Sequence, residues 1–588
     1  VSAFADGGNH TLTVRAVDFP YPGFPLGKQD IGSPRDPEFH SPSDIYMPRS
    51  SGITKSVSLQ RVPSTTINKV RWRADATGKT LSLSLEFGGV TPRDGRVIVD
   101  LTKSVNFRNA GSLGSVEIPL EAFAGGKASI DLSHLDEETW AGLMWSKDQP
   151  AVVDAVVRLE DESGEEVHTV ASYTAFASFD WVPLPENPHP RLGHFALNGK
   201  PTEIRDVLYQ GNHFTTGFTT TRAQLIRDFQ ILKDAGFNKV RAHGFGPDQE
   251  LCEVALRVGL MVGIEPVAAR MTSQGAIDRM FMVHQQMLRD LEGQPAVAVV
   301  TVANERWTFE WKTMSEEQQR EMTENQFDRW VLQELVGFAA ESNKYFPDAF
   351  HSISDGWKLV LGGRNELNNP DWPKKLIAGV HCYQPVETLR EFFGNRDAAG
   401  MIAKVQQGVD GRDMIDGPFD ADAGPPFILL NTEGFGRSIL TNEGGEQAAE
   451  INARDPLLMP GFQHSAVSWG YNHALAPEEV IDELHGFVKI TTEGPWSGYC
   501  LTQAMDIEYF AKDPDGKLVI AGEVNGYMDR FGRVKVPEMA KVLPLYGVDG
   551  RAPAVEHDQQ HRTQRSVGGP DLGIGLSASS GNGPASES

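Results

Sequence analysis

From about residue 190 onward, short runs of almost uninterrupted apolar residues alternate with amphipathic segments of helical period. No other feature constrains the fold as much. The stretch from Thr221 to Ala235 places Leu225, Phe229 and Leu232 on one face, and Gly236 stops it. That spacing is the stripe of a helix packed on a core. Phe237-Asn-Lys-Val-Arg-Ala-His243 follows as a strand. Asp248–Val258 is predicted as a helix, Gly259–Glu265 as a strand, Met280–Leu291 as a helix and Ala296–Ala303 as a strand. Strands that do not alternate bury both faces, as in a parallel sheet covered by crossover helices. A unit spanning 186–548, with polar groups just past each strand, favours a closed (β/α)8 TIM barrel over an open sheet.

Upstream the period changes. Within 63–185, Leu81, Leu83, Leu85 and Phe87 alternate with Ser82, Ser84 and Glu86, so one face of that strand should be buried. Further strands are predicted at Arg96–Leu101, Ser115–Leu120, Asp154–Glu160 and Val167–Thr174, with turns at Asp94-Gly95 and Ser163-Gly164. Several short strands in such a length favour an immunoglobulin-like β-sandwich. Residues 1–62 hold strand candidates at Thr11–Arg15 and Gly52–Gln60 around a loop rich in Pro and Gly. So few strands cannot close a sandwich alone. Residues 549–588 are Gly, Ser, Pro and polar residues with nothing to build a core, and are expected to be a disordered tail. The first residues, Val-Ser-Ala-Phe-Ala-Asp, carry neither an initiator Met nor a signal peptide, so the chain reads as cut from a longer one.

Composition narrows the partners. With 54 basic and 79 acidic residues the net charge is −25, which disfavours nucleic acid and anionic membrane surfaces. No stretch approaches the roughly 20 apolar residues of a bilayer-spanning helix. The three cysteines, Cys252, Cys382 and Cys500, are too few for a disulfide framework, match no zinc spacing and favour a cytoplasmic setting. No cofactor motif and no metal-ligand cluster is found, and an oligomer is compatible with the composition. Eleven tryptophans suit sugar recognition.

A barrel enzyme carries its chemistry at the C-terminal ends of its strands. Those ends read Arg241 and His243, Glu265, Asn304-Glu305, His381 and Tyr383, and Glu433. Glu305 and Glu433 each follow a strong apolar run and stand about three strands apart, so they should face one another across the mouth. Acetal hydrolysis needs such a pair: one carboxylic acid protonates the leaving oxygen while a carboxylate attacks or activates water. Arg241 and Glu265 read equally well as structural partners. His243 and His381, taken alone, read as satisfied polar residues, and Trp307 and Trp469 as core or rim packing.

The order of phrases along the chain resembles glycoside hydrolase family two. Gly27-Lys-Gln29, Tyr46 and Gly52-Ile53 are similar to the end of that family's sugar-binding jelly roll, and Leu143-Met-Trp145-Ser146 with Gln149-Pro150 to the linker before the last strands of its sandwich. Phe195-Ala-Leu-Asn-Gly-Lys-Pro201 with Arg205-Asp206 is similar to its entry to the barrel. Ala235-Gly-Phe-Asn238 with Arg241 and His243 resembles the second strand, Gly259-Leu260 with Glu265 the third, and Asn304-Glu305 the acid/base strand. Glu433-Gly-Phe-Gly436 resembles the nucleophile strand, where Glu-Phe-Gly-Gly is commoner, and Gly498–Gln503 with Asp506 and Glu508 resembles the eighth.

The resemblance implies a partial jelly roll over 1–62, a sandwich over 63–185 and a catalytic barrel over 186–548. It implies a retaining exo-β-glycosidase, β-galactosidase-like, acting on an oligosaccharide or glycoside. Glu305 would be the acid/base, Glu433 the nucleophile, Asn304 a ligand of the sugar 2-hydroxyl, and Tyr383 and Arg241 the groups that hold Glu433. His243 would line the subsite. Many members carry a Trp on strand eight beneath the sugar, where this chain reads Leu501-Thr-Gln503, which leaves Trp469 or Trp496 as replacements. No Asn-x-Lys of the glucuronidase type occurs late in the barrel, which argues against a uronic acid. Glucose, mannose or a pentose are alternative sugars. A carbohydrate-binding protein that no longer turns over is the alternative function.

Overall fold

In the computed structural model the described residues are 62–546, apart from internal segments of which 306–323, 357–370, 404–423 and 440–461 are the longest, together with 26–27 and 57. Eight parallel strands form the barrel: β1 (Ile204–Tyr209), β2 (Lys239–Ala242), β3 (Met261–Ile264), β4 (Val297–Thr301), β5 (Phe350–Ser352), β6 (Leu376–Cys382), β7 (Phe427–Phe435) and β8 (Trp496–Thr502). Each pairs with the next, and β8 closes the ring by pairing with β1 as well as β7. Every residue of β4, β6, β7 and β8 is buried. Inner residues pack against each other and outer ones against helices, which is why these runs lack alternation.

The helices follow local chemistry. Arg222–Asp234 starts at Thr221, whose side chain and that of Gln224 form a reciprocal capping box, and it buries Leu225, Phe229 and Leu232. Gln249–Val258 starts at Asp248, whose carboxylate accepts from the Leu251 N–H, and stops at Gly259 with φ 107°. The third helix runs Gln274–Leu291, six residues longer at its start than Met280–Leu291. Buried Ile277 extends the Met280 stripe back by a turn, a continuation that the Met280 start overlooks.

Among the described residues the preceding module has seven strands in two antiparallel sheets. One contains Thr65–Asp75, Thr80–Gly89 and Ala128–Asp131, and the other Arg108–Pro119, Arg96–Val105, Ala151–Glu160 and Glu166–Thr174 in that order. The arrangement is an immunoglobulin-like sandwich. Leu81 and Leu83 are fully buried, whereas Leu85 and Phe87 are only partly so. The short strand Ala128–Asp131 flanks Thr80 to Leu83 and no further, leaving the end of the Leu81–Phe87 strand less covered.

The sandwich grips the barrel through Trp145, which is buried and donates from Nε1 to the Leu256 carbonyl at 2.9 Å. Arg257 of the same helix pairs with Asp154 of the sandwich at 2.5 Å, and the Tyr173 hydroxyl donates to Gln294 Oε1 at 2.5 Å. Almost all of the region expected as a partial jelly roll, and the whole tail 549–588, lie outside the described residues; Leu26–Gly27 pairs antiparallel with Ala269–Arg270. No helix among the described residues is long and apolar enough to cross a membrane. All three cysteines are free and buried.

Candidate active site

The site sits at the C-terminal ends of β2 to β8, and a local irregularity of β7 helps to make it. Val380 of β6 pairs with Asn431, but the next residue, His381, pairs with Glu433, so Thr432 is an extra residue on β7. The pairing with β8 shifts between Asn431 and Gly434 as well. Such a bulge re-aims the side chains that follow it. The Thr432 carbonyl accepts from Arg241 Nη1 at 2.9 Å.

Arg241, on β2, is the hub. Its Nη2 donates to Glu265 Oε2 at 2.9 Å and to Asn304 Oδ1 at 2.8 Å. Its Nη1 stands 2.7 Å from Asp355 Oδ2 and 3.3 Å from Glu433 Oε1. A buried guanidinium is tolerated only when its donors are met by carboxylates and carbonyls, as here. Because Arg can only donate, the Asn304 atom facing it is the oxygen, which turns the Asn304 amide nitrogen away from Arg241. His243 donates from Nδ1 to Glu265 at 2.9 Å, and its Nε2 lies 3.9 Å from Glu433 Oε1.

Glu433 is almost wholly buried. The Tyr383 hydroxyl donates to its Oε2 at 2.6 Å. Glu305 is more open, with 36% of its side chain exposed against 4% for Glu433. Its backbone takes φ 46°, a left-handed conformation that non-glycine residues adopt at a cost. The loop after β5 holds it there: Glu305 N–H donates to the Asp355 carbonyl and Asp355 N–H to the Ala303 carbonyl, both at 2.9 Å. Between the two glutamates stands His381, with Nδ1 2.6 Å from Glu305 Oε1 and 3.6 Å from Glu433 Oε2. Its Nε2 lies 3.5 Å from Asp355 Oδ2, and Asp355 Oδ1 accepts from Ser352 at 2.9 Å.

Electrostatics separate the groups. Burial opposes charge on Glu433, but His381, His243 and Arg241 outweigh it and hold its pKa below the usual carboxylate value. Burial likewise opposes the His381 imidazolium, yet Glu433, Asp355 and Glu305 raise its pKa to about 10. Asp355 is held well below the carboxylate range, burial being overcome by Arg241 and His381.

One ligand atom from each of Glu305, His381 and Glu433 lies within 4.8 Å of the others, a spacing that a metal ion could use. The two His381 nitrogens face different carboxylates, Nδ1 towards Glu305 at 2.6 Å and Nε2 towards Asp355 at 3.5 Å. The arrangement is a hydrogen-bonded triad. It can hold one carboxylate ionised while a second, closer to solvent, exchanges a proton.

Of the residues singled out from sequence, Arg241, His243, Asn304, Glu305, Tyr383 and Glu433 converge here. Trp307 lies outside the described residues, and Trp469 lies on the strand Ser468–Tyr471, paired with Leu518–Glu523. Trp496 is no candidate platform. It is fully buried at the start of β8, edge-on to Phe393 at 5.2 Å, at the opposite end of the strand from the mouth. Gln503, just past β8, is buried; it donates to Glu523 at 2.7 Å and Asn525 at 2.9 Å and accepts from Gln210. Asp355 and the bridging position of His381 are the parts that sequence reasoning missed. The signal for Asp355 was its place, three residues past the short run Phe350-His-Ser352.

No family model matches the chain. Among curated proteins it is similar to a β-galactosidase of Vibrio vulnificus strain CMCP6, 27% identical over 271 residues, 43% of this chain and 25% of the relative. A β-glucuronidase of Sus scrofa is 28% identical over 120 residues, 20% of this chain and 18% of that one. Among solved structures, a GH2 β-galacturonidase from Eisenbergiella tayi bound to galacturonate superposes with TM-score 0.54 at 14% identity, covering 86% of this chain and 77% of that chain. The chain thus shares the fold of that GH2 enzyme and is similar, over part of its length, to β-galactosidases and a β-glucuronidase. Another structure of like fold is Bacteroides uniformis β-glucuronidase 3, with TM-score 0.53 and 15% identity over 87% of this chain and 56% of that chain. The match to the first curated relative spans about a quarter of that relative's length. Asn304-Glu305 stand just past β4, and Glu433 lies on β7.

Proposed function

We propose that this chain is a retaining β-glycosidase that hydrolyses a terminal β-linked sugar by double displacement. One observation carries the reading: two carboxyl groups, one buried and hydrogen-bonded, one partly open, bring oxygens within 4.8 Å of each other across a barrel mouth. That spacing suits a nucleophile and an acid acting on one anomeric carbon, and leaves little room for an intervening water.

Glu433 is the nucleophile. Its carboxylate is kept ionised by the surrounding cations, and the Tyr383 hydroxyl fixes one oxygen so that the other can attack. Glu305 is the acid/base. It gives a proton to the leaving oxygen as the covalent glycosyl bond to Glu433 forms, then takes a proton from the water that breaks that bond. Asn304, oriented by Arg241, turns its amide nitrogen away from that partner. From there it donates to the sugar 2-hydroxyl oxygen, a contact that tightens as positive charge grows on the adjacent carbon. Galactose is the sugar favoured by the curated relatives at 27% identity. Gln503, where many members of the resembled family carry an aromatic ring, has its carboxamide tied into the Glu523–Asn525–Gln210 network.

A panel of p-nitrophenyl β-glycosides tests the reading. Release of nitrophenol with the β-anomer of the free sugar formed first supports it. Binding of sugars by calorimetry without turnover of any glycoside would point instead to a carbohydrate-binding protein.

A further inference from the structure

We propose that His381 is a doubly protonated imidazole strung between Asp355 and Glu305, and that this cation positions the acid/base and governs the ionisation of both reacting glutamates. The inference rests on the roles proposed for Glu305 and Glu433.

The geometry is that of a built element. Both ring nitrogens face carboxylate oxygens: Nδ1 stands 2.6 Å from Glu305 and 3.6 Å from Glu433, and Nε2 3.5 Å from Asp355. A neutral imidazole would aim a lone pair at one of these acceptors, a repulsive contact in a site where His381 and Asp355 are both buried. Two glycines make the space. Gly356, at φ 91°, lies so close to the ring that a Cβ there would collide with its ring atoms, and a Cβ on Gly379 would collide with Asp355 Oδ1. Asp355 cannot easily give way, because it is also held by Arg241 at 2.7 Å and Ser352 at 2.9 Å.

The groups facing His381 come from five places. Glu305 lies past β4, Asp355 past β5, Tyr383 on its own segment past β6 with ring centroids 6.3 Å apart, and Glu433 on β7. Arg241 of β2 approaches the same Asp355 and Glu433 carboxylates, and His243, just past β2, approaches Glu433. The acids outweigh the nearby cations at the ring, in keeping with a pKa raised to about 10.

The consequence for catalysis follows by charge. When Glu305 passes its proton to the leaving oxygen, negative charge appears on a carboxylate already hydrogen-bonded by Nδ1–H. The imidazolium stabilises that charge and so strengthens the acid. The same cation beside Glu433 keeps the nucleophile ionised. Asp355 acts at one remove, fixing the ring through Nε2. His381 and Asp355 are positioning residues; neither touches the reacting carbon.

The test is the pH dependence of kcat/KM for wild type, His381→Gln and Asp355→Asn, using the nitrophenyl glycoside that wild type hydrolyses fastest and the phenyl glycoside of the same sugar. Loss of the cation weakens both carboxyl acids. In His381→Gln the acid and alkaline limbs should therefore both move to higher pH, by about one unit or more. The phenyl glycoside, which needs a proton, should lose about ten- to hundredfold while the nitrophenyl glycoside loses less. Asp355→Asn should shift the limbs in the same direction by a smaller amount. A uniform loss at every pH and for both leaving groups, with the limbs unmoved, would overturn the proposal and leave His381 a packing residue.

A second measurement needs no substitution. Nitrogen-15 spectra of histidine-labelled wild type should contain an imidazolium with both nitrogens protonated at pH 8; if every histidine is neutral there, the proposal fails. Wild type that turns over no β-glycoside would defeat the functional reading, and the catalytic part of this one with it. An active wild type in which Glu305 and Glu433 prove essential but the limbs do not move defeats this proposal alone.

Discussion

The Tyr383 hydroxyl donates to Glu433 Oε2 at 2.6 Å, while Arg241 Nη1 stands 3.3 Å from the other oxygen of the same carboxylate. One oxygen is thus pinned by a neutral donor and the other steadied by a shared cation. Tyr383→Phe removes the first contact without leaving a buried charge unpaired. We expect kcat to fall by about tenfold to a hundredfold. We also expect the acid limb of kcat/KM to rise, since a hydrogen bond to the ionised form has been lost. An acid limb identical to wild type would show that the hydroxyl does not tune Glu433.

Glu433→Ala and Glu305→Ala separate the two carboxyl roles. The first should abolish turnover of every glycoside. The second should spare the first step with dinitrophenyl substrates, whose leaving group needs no proton. Added azide should give a β-glycosyl azide from Glu305→Ala and an α-glycosyl azide from Glu433→Ala, as read by NMR. The reverse pattern exchanges the assignments.

Asn304 is oriented by Arg241 rather than by its own neighbours in sequence. Asn304→Ala should lower kcat by on the order of 10² while changing KM comparatively little, because the contact strengthens towards the transition state. A 2-deoxy substrate should lose rate in wild type and little more in the mutant. Full additivity of the two losses would mean that the amide and the 2-hydroxyl never meet.

Stability should depend on pH through His381. Its pKa is about 10 in the folded protein and about 6.5 in an unfolded chain. The group therefore contributes fully below pH about 6.5, and its contribution is lost as pH rises through about 10. Asp355, held below the carboxylate range by Arg241 and His381 against the opposing effect of burial, has the opposite sign: its contribution is present above about pH 4 and lost as pH falls. Scanning calorimetry should show Tm falling between pH 6.5 and 10 more steeply in wild type than in His381→Gln. Parallel curves would exclude an imidazolium in the fold.

The sandwich supports the barrel through Trp145, whose ring is buried and whose Nε1–H reaches the Leu256 carbonyl. Trp145→Ala should destabilise the protein by about 3–5 kcal/mol in urea unfolding. An isolated 186–548 fragment should be poorly soluble, because it exposes the apolar barrel surface that the sandwich covers. A soluble, fully active fragment would remove any supporting role for the sandwich.

What the sequence determined by itself is what short-range pattern can encode. The barrel was legible in apolar runs such as Val297–Thr301 and in the stripe of Leu225, Phe229 and Leu232, because burial on a strand or helix repeats every few residues. Glu305 and Glu433 were legible because each terminates such a run. The His381–Asp355 pair was not. One member lies past β5 and the other on β6, and what brings them together is the closure of the ring and the narrow space left by Gly356 and Gly379. The extra residue Thr432, which sets Glu433 opposite His381, shows only when β7 is laid beside β6 and β8. Nor could sequence say that Trp496 would be buried at the wrong end of β8, since an aromatic ring serves a core as well as a sugar. Local periodicity decides which residues are buried. Only the tertiary structure decides which charges are buried together, and the proposed chemistry rests on those charges.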